Sequence, residues 1–212
     1  EENCKKYPSG NSKPEGLIQE YANNIRFSVF SYLNIFDESR KKSGKDGGVM
    51  RAAQKFVGPK DPSKPIGSQT NLRAEWDEYT GVFKTHPDKS YNSGKTAGPI
   101  AENSGVINYI NKFGELTDED LKRYDSVSLL YYTALRYFKN EGNVDKYSDI
   151  SGLNEAAQLK AADGFPIITQ WDDPITSAFS CQKNAILGIG DVNTHYDKDI
   201  PKEYHDYTQK VL

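Results

Sequence analysis

A dense group of oxygen-bearing side chains follows an apolar run near the end of the sequence. Residues 184–190 are mostly Ala, Ile, Leu and Gly, and Asp191 comes directly after them. An apolar run ending in Gly-Asp is typical of a buried, central parallel strand, and open α/β sheets bind ligands at the tips of such strands. Asn193, Asp197 and Asp199 add further oxygens, which suit a hard divalent cation, and His195 adds a ring nitrogen. We predict metal binding centred on Asp191; the alternative is a solvated acidic loop whose side chains bond their own backbone.

Other polar side chains have simpler structural roles than catalysis. Ser126 and Ser128 begin a predicted helix, where a hydroxyl can reach a metal, although capping of the backbone is the simpler role. Asp172 and Asp173 could act as an acid/base pair, but directly before Pro174 they are more typical of a capped helix start. The sequence has no Gly-x-Ser-x-Gly elbow, no glycine-rich phosphate loop and no paired Cys-x-x-Cys. We therefore expect a protein that is not an enzyme.

The two cysteines, Cys4 and Cys181, are compatible with one disulfide in an oxidising compartment. Two free thiols, or a pairing of Cys4 with a cysteine outside this segment, are the alternatives. The chain opens on Glu-Glu-Asn-Cys and Met50 is its single methionine. We expect a segment of a longer protein.

The elements that must position these groups follow from the hydrophobic periodicity. Residues 25–33 alternate as a strand with one buried side, and residues 104–113 and 125–139 repeat apolar residues at helical intervals. The polar, Gly- and Pro-rich residues 37–101 predict a loop-rich insertion that leaves the sheet. Weaker predictions are an extended arm over residues 1–14, a short helix over 14–23, β-like pieces at 48–57, 74–76 and 81–84, a polar connector over 140–163 with a helical turn at 153–162, and a strand over 164–171.

Composition narrows the class of partner. Of 212 residues, 36% are hydrophobic, and the net charge of -3 arises from interspersed acids and bases. No basic face is available for phosphate backbones, and no apolar run approaches the roughly 20 residues that cross a bilayer. We expect neither nucleic acid nor membrane as a partner, and a single domain over residues 1–212.

Several runs of this sequence resemble the PilY/PilC family of type IV pilus tip-associated adhesin and biogenesis proteins. The longest is CQKNAILGIGDVNTH at residues 181–195. The resemblance also covers residues 2–33, 104–114 (SGVINYINKFG), 124–138 (YDSVSLLYYTALRYF) and 163–175 (DGFPIITQWDDPI).

The resemblance implies a von Willebrand factor A-like (Rossmann-like) α/β sheet with helices and a long, partly β insertion, incomplete in this segment. Residues 1–212 would then be a fragment of a larger N-terminal domain. It implies an exported protein of the periplasm, outer surface or pilus tip of a Gram-negative-type bacterium, acting in pilus biogenesis and in attachment to surfaces or host cells. Its partners would be minor pilins, a host-cell receptor and the C-terminal β-propeller of the parent chain.

The resemblance also implies a metal-ion-dependent adhesion site for Mg²⁺, Mn²⁺ or Ca²⁺. Asp191 matches the strand-end Asp of such a site, with Asn193, Ser126 and Ser128 as further candidate ligands. The Asp-x-Ser-x-Ser loop of these sites is absent from the sequence, so the site would be incomplete in this chain. A metallophosphoesterase-like centre at Asp191 that activates water is the alternative function.

Overall fold

The structure of this chain is a computed structural model that describes residues 4–37, 42–43, 47–112, 126–190 and 200–201. Short strands and helices are joined by long turns, and the fold is mixed α/β. The strands are β1 (Cys4–Lys6), β2 (Ser12–Pro14), β3 (Phe27–Ser31), β4 (Phe36–Asp37), β5 (Lys42–Ser43), β6 (Val49–Lys55), β7 (Thr96–Ala97) and β8 (Ile167–Ile168). The helices are α1 (Leu17–Glu20), α2 (Lys89–Asn92), α3 (Val106–Lys112), α4 (Val127–Phe138), α5 (Asp145–Ser148) and α6 (Glu155–Ala162), followed by a 3₁₀ turn at Ser177–Phe179. None of these described helices is long and apolar enough to cross a bilayer.

One four-stranded sheet organises the fold. Its order is β3-β6-β8-β7, and each pair of neighbours runs antiparallel. The β6 strand lies inside this sheet, and its Val49, Met50 and Ala52 are buried. Two separate ribbons, β1 with β2 and β4 with β5, complete the described pairings. The β6 sequence, VMRAAQK, is not uniformly apolar, and its charged Arg51 and Lys55 are buried together with its apolar residues.

The helices α3 and α4 pack with the sheet in different hydrophobic clusters. Val29 of β3 packs in one cluster with Val106 and Ile107 of α3. The next residue, Phe30, contacts Tyr137 of α4, with ring centroids 5.7 Å apart. The register of β3 shifts between Val29 and Phe30, so regular alternation does not apply to this pair of residues. The sheet therefore contributes side chains to separate clusters with α3 and with α4.

Four charged side chains form a buried ion cluster at the end of β6: Lys55, Arg73, Glu75 and Asp88. Lys55 Nζ lies 2.9 Å from Glu75 Oε1 and 2.9 Å from Asp88 Oδ1, and Arg73 Nε lies 2.7 Å from Asp88 Oδ1. The Lys55, Glu75 and Asp88 side chains are 4%, 1% and 1% exposed. Buried charges persist only when they are paired and hydrogen-bonded. This cluster fastens the long turns after β6 to the sheet.

The same cluster holds the start of α3. Glu75 accepts the Val106 N–H at Oε1 (2.6 Å) and the Ile107 N–H at Oε2 (2.7 Å). These first-turn amides have no partner within the helix, and a carboxylate is favourable at that end of a helix. Gly105 precedes them with φ +103°, and a Cβ there would lie 3.0 Å from Glu75 Cδ. A glycine is therefore needed where the carboxylate meets the helix.

Several predicted elements are confirmed. The predicted strand over residues 25–33 contains β3, and the predicted helices over 104–113 and 125–139 contain α3 and α4. The helical turn expected near residue 153 is α6, and the connector before it also holds α5. The helix expected over residues 14–23 is reduced to the single turn α1. The arm expected over the first residues is paired, because β1 and β2 form a ribbon.

The expected parallel, von Willebrand factor A-like sheet differs from the described sheet, in which each pairing is antiparallel. The expectation placed the central strand at residues 184–190. In the structure β6 is an inner strand, which pairs with β3 on one side and with β8 on the other. Residues 184–190 form neither helix nor strand. The described fold therefore does not contain the buried central strand that was predicted there.

The predicted insertion over residues 37–101 also needs correction at one element. It contains β6, the sheet's seven-residue inner strand, together with the edge strand β7. Most of the rest consists of turns and isolated bridges, in agreement with a loop-rich sequence. The sheet therefore passes through this segment, and the loops leave it between β6 and α2.

Candidate functional site

The residues predicted to centre a metal site lie largely outside the described residues. Five of them lie in residues 191–199, which the structure does not describe: Asp191, Asn193, His195, Asp197 and Asp199. Metal binding at this group stays a prediction. Within the described ranges, no group of three or more His, Cys, Asp or Glu side chains comes together in a way that could hold a metal ion.

The two candidate serines at the start of α4 differ from each other. Ser126 occupies the N-cap position, is fully buried, and its hydroxyl makes neither a capping hydrogen bond nor any other. The predicted capping role is therefore wrong for Ser126. Ser128 is half-buried and lies about 200° further around the helix, since an α-helix turns once in 3.6 residues. The metal-ligand roles predicted for Ser126 and Ser128 stay predictions.

The two cysteines are not joined by a disulfide in this structure. Cys4 lies half-buried in β1, and Cys181 is exposed just after the 3₁₀ turn. Their predicted pairing stays a prediction.

The two acids before Pro174 hold the chain in place. Asp172 Oδ2 accepts a hydrogen bond from Tyr91 Oη at 2.8 Å and pairs with Lys95 Nζ at 2.6 Å. The hydrogen bond from Lys95 holds the pKa of Asp172 below its usual range. Asp173 Oδ1 accepts the Ile175 N–H at 2.8 Å, which is an Asx-turn and not the start of an α-helix. These contacts match a structural role better than acid/base chemistry.

Arg26 clamps the segment that follows these acids. Its guanidinium donates to the Pro174 carbonyl at 2.8 Å and twice to Gln182 Oε1, at 2.9 and 2.7 Å. The guanidinium carbon lies 3.4 Å from the centroid of the Phe179 ring. Burial of this group lowers the pKa of Arg26. Planar stacking combined with forked hydrogen bonds is a capability of arginine that lysine lacks. This Arg26 clamp fixes the chain as far as Gln182.

The apolar segment, residues 184–190, begins two residues beyond the clamp. Leu187 is 86% exposed and Ile189 is 88% exposed. Among the described residues, the peptide groups of the segment make no backbone–backbone hydrogen bond, although the Asn184 side chain donates to the Gln182 carbonyl at 3.3 Å. Large apolar side chains and unpaired peptide groups are both unfavourable in water, and their combination is typical of a surface that binds a partner. The apolar segment is the strongest candidate functional site of the described residues.

Sequence reasoning missed the clamp. The sequence around Arg26 reads as an ordinary strand, and its partners lie about 150 residues further along the chain. A single arginine carries no signal for such a distant contact. The apolar character of residues 184–190 was visible, but an apolar run does not tell whether its partner is inside or outside the described fold.

Two surface hollows lie elsewhere. One, of about 210 Å³, is lined in part by Ile100, Leu159 and Ala162, and the other, of about 320 Å³, in part by Tyr7 and Trp76. Neither hollow is lined by Ser126 or by the apolar segment.

Comparison with known proteins gives one informative match. The chain is similar to the "Type IV pilus biogenesis factor PilY1 homolog" of Xylella fastidiosa (strain Temecula1), with 50% identity over 209 residues and 95% of this chain covered. The chain spans only 16% of that relative's length. No family model matches the chain. No solved structure matches it either.

Proposed function

Because this chain belongs to the PilY1 family of type IV pilus biogenesis proteins, we propose that it acts in the assembly of type IV pili as one region of a longer protein. The resemblance to the PilY/PilC family that the sequence motifs indicated is confirmed by the same comparison. The observation that carries the proposal is the 50% identity over 209 residues to a protein named as a biogenesis factor.

Removal of this region from the full-length protein tests the role. We expect a bacterium that makes the shortened protein to display far fewer surface pili than its parent. The readout is the amount of pilin sheared from equal numbers of cells, with export of the shortened protein checked by immunoblot. A strain carrying Glu78→Ala, a change at an exposed side chain, serves as the matched control. An unchanged amount of sheared pilin, with the shortened protein exported, would contradict the proposal.

Attachment to surfaces or host cells is a second part of the proposal. Exposed apolar side chains on the turns after β6 support it: Ile66 is 97% exposed and Leu72 is 83% exposed. Such side chains are suited to contact with a receptor. The double change Ile66→Ser and Leu72→Ser should reduce the number of attached cells without reducing sheared pilin. Leu17→Ser, at an exposed position on α1, is the control, and equal attachment of all strains would refute this part.

The partners and location follow from the same role. We propose minor pilins, a host-cell receptor and the remainder of the parent chain, including a C-terminal β-propeller, as partners. The expected location is the periplasm, the outer surface or the pilus tip. A von Willebrand factor A-like fold remains a proposal for the full-length protein. Co-purification of the full-length protein with sheared pili tests the location.

We also propose that a divalent cation, Mg²⁺, Mn²⁺ or Ca²⁺, binds near the start of α4, with Asp191 and Asn193 as ligands. The buried, unpaired hydroxyl of Ser126 supports this part. Calorimetric titration of each cation into the full-length protein should show binding that Ser126→Ala and Asp191→Ala weaken. Ser128→Ala, which changes a half-buried hydroxyl on another side of the helix, should leave it unchanged. Equal affinity in all variants would refute the site.

We propose that this role is non-catalytic. The competing activity, a metal-dependent phosphoesterase centred on Asp191, would hydrolyse model phosphate esters with Mn²⁺ present. Hydrolysis by the purified protein that Asp191→Ala abolishes would contradict the non-catalytic role.

A further inference from the structure

The apolar segment, which follows the Arg26 clamp, has two kinds of group that are available for binding: apolar side chains and peptide groups. The side chains of Leu187 and Ile189 are almost fully in water, at 86% and 88% exposure. The peptide groups of residues 184–190 make no backbone hydrogen bond among the described residues. Burial of these two side chains would be favourable, because it removes apolar surface from water. A partner that buries the side chains and also hydrogen-bonds the peptide groups would therefore bind favourably.

The sequence of the segment favours pairing as a strand. It contains two glycines, Gly188 and Gly190, and no proline. Glycines disfavour a helix, whereas the absence of proline keeps each N–H available for a sheet ladder. Leu187 and Ile189 are two residues apart, so an extended backbone places both on one face. The partner that fits is the open edge of a β-sheet with an apolar face beside it.

The length of the relative suggests that this sheet edge belongs to a part of the protein outside this region. The chain spans 16% of the length of its relative, so in a protein of that length most of the chain lies outside this region. Chain connection holds a tethered partner at an effective concentration in the millimolar range. The clamp adds to this advantage, because Gln182 is fixed to Arg26 through two hydrogen bonds and only Lys183 separates it from the segment.

We propose that residues 184–190 are a donated β-strand, which pairs with a sheet edge formed by the rest of the same full-length chain. The segment thereby joins this region to its neighbour in the parent protein and buries Leu187 and Ile189 there. This joining concerns the fold of the full-length protein. It can be measured without pili, so its failure and the failure of the proposed function in pilus assembly are distinguishable.

Gly188 offers a matched pair of variants. An added Cβ at Gly188 meets no atom within 4 Å in this region, so both Gly188→Ala and Gly188→Pro leave the described fold intact. Alanine keeps the peptide N–H, whereas proline removes it and blocks a ladder hydrogen bond. Only the proline variant should therefore disturb strand pairing.

The experiment is hydrogen–deuterium exchange on the purified full-length protein, followed in peptides that cover residues 184–190. We expect the wild type and Gly188→Ala to exchange at least roughly 100-fold more slowly than an unstructured peptide, and Gly188→Pro to lose most of that protection. Exchange of the wild type at the rate of an unstructured peptide would overturn the proposal. Protection that disappears on dilution would assign the edge to a second copy, and protection that requires added pili would assign it to a pilin; either result also overturns it.

Discussion

The buried ion cluster and the apolar segment invert the usual distribution of polar and apolar side chains. Lys55, Glu75 and Asp88 are charged yet at most 4% exposed, whereas Leu187 and Ile189 are apolar yet more than 80% exposed. The charges are stable inside because each has partners within this region. The apolar side chains have no such partners among the described residues. The ion cluster therefore has its binding partners within the described fold, whereas we expect the apolar segment to bind a partner outside it.

The largest expected effect comes from opening the ion cluster. Glu75→Ala leaves Lys55 with one carboxylate fewer and removes the acceptor of the Val106 and Ile107 amides. We expect the free energy of unfolding to fall by about 3–5 kcal/mol, because breaking a buried pair leaves an uncompensated charge. Urea denaturation of this chain measures it. In the same assay Leu187→Ala, within the apolar segment, should change the value by less than about 0.5 kcal/mol. Similar decreases in the free energy of unfolding for both variants would contradict the difference between the ion cluster and the apolar segment.

The next effect concerns the boundary between the two regions. Arg26→Ala removes three hydrogen bonds to Pro174 and Gln182 and the contact with Phe179. We expect a loss of about 2 kcal/mol, in the range of hydrogen bonds to charged groups. Limited proteolysis should cut the chain after Phe179 faster than in the wild type. Arg26→Lys keeps the charge without the planar fork and should fall between the two. Unchanged cleavage in Arg26→Ala would show that the clamp does not hold the segment.

A smaller effect of opposite sign is expected at the start of α4. Ser126→Ala removes a buried hydroxyl that has no hydrogen-bond partner. Without added cations, the free energy of unfolding should rise by up to about 1 kcal/mol, because an unsatisfied polar group is no longer buried. Thermal unfolding in the presence of a chelator measures it. A clear loss of stability would mean that the hydroxyl has a structural partner.

The smallest effect is a pH dependence beside the ion cluster. His86 Nδ1 lies 2.6 Å from Ser104 Oγ, which also accepts the Asp88 N–H. Burial lowers the pKa of His86, against the opposing effects of Asp88 and of the Ala101 carbonyl, while Lys89 lowers it further.

The direction of the pH dependence follows from that lowered pKa. The folded state binds the His86 proton less readily than the unfolded state. Its contribution to stability is therefore fully present above the unfolded pKa of about 6.5 and is lost as the pH falls through the lower, folded pKa. Asp77 and Asp172, whose pKa values are also lowered, titrate in a more acidic range. Urea denaturation from pH 7 to pH 5 should show a decrease in the wild type that is smaller in His86→Gln. Identical pH profiles would exclude His86 as the cause.

The parts of this fold that depend on local periodicity could be predicted from the sequence. β3, α3 and α4 each carry their apolar residues at the spacing of their own element, so their type was clear. The inner strand β6 was recognised as β-like but not as central, because its neighbours in the sheet are far away in sequence. Pairings over such distances leave no local pattern.

The candidate site was predicted only in part. Ser126 was chosen for its place before a helix, but its burial and its unpaired hydroxyl depend on packing that no spacing shows. The apolar run at residues 184–190 was assigned to the interior because apolar runs are usually buried. That rule holds only when the partner lies within the same fold, and here Leu187 and Ile189 lie exposed on the described fold.

The most direct test of the account counts surface pili in strains whose full-length protein carries Gly188→Pro or Gly188→Ala. Electron microscopy gives the number of pili per cell, and immunoblots confirm equal export of both proteins. We expect Gly188→Pro to reduce the number of pili strongly and Gly188→Ala to leave it at the wild-type value. Equal, normal numbers of pili in both strains would contradict a role for the apolar segment in pilus biogenesis.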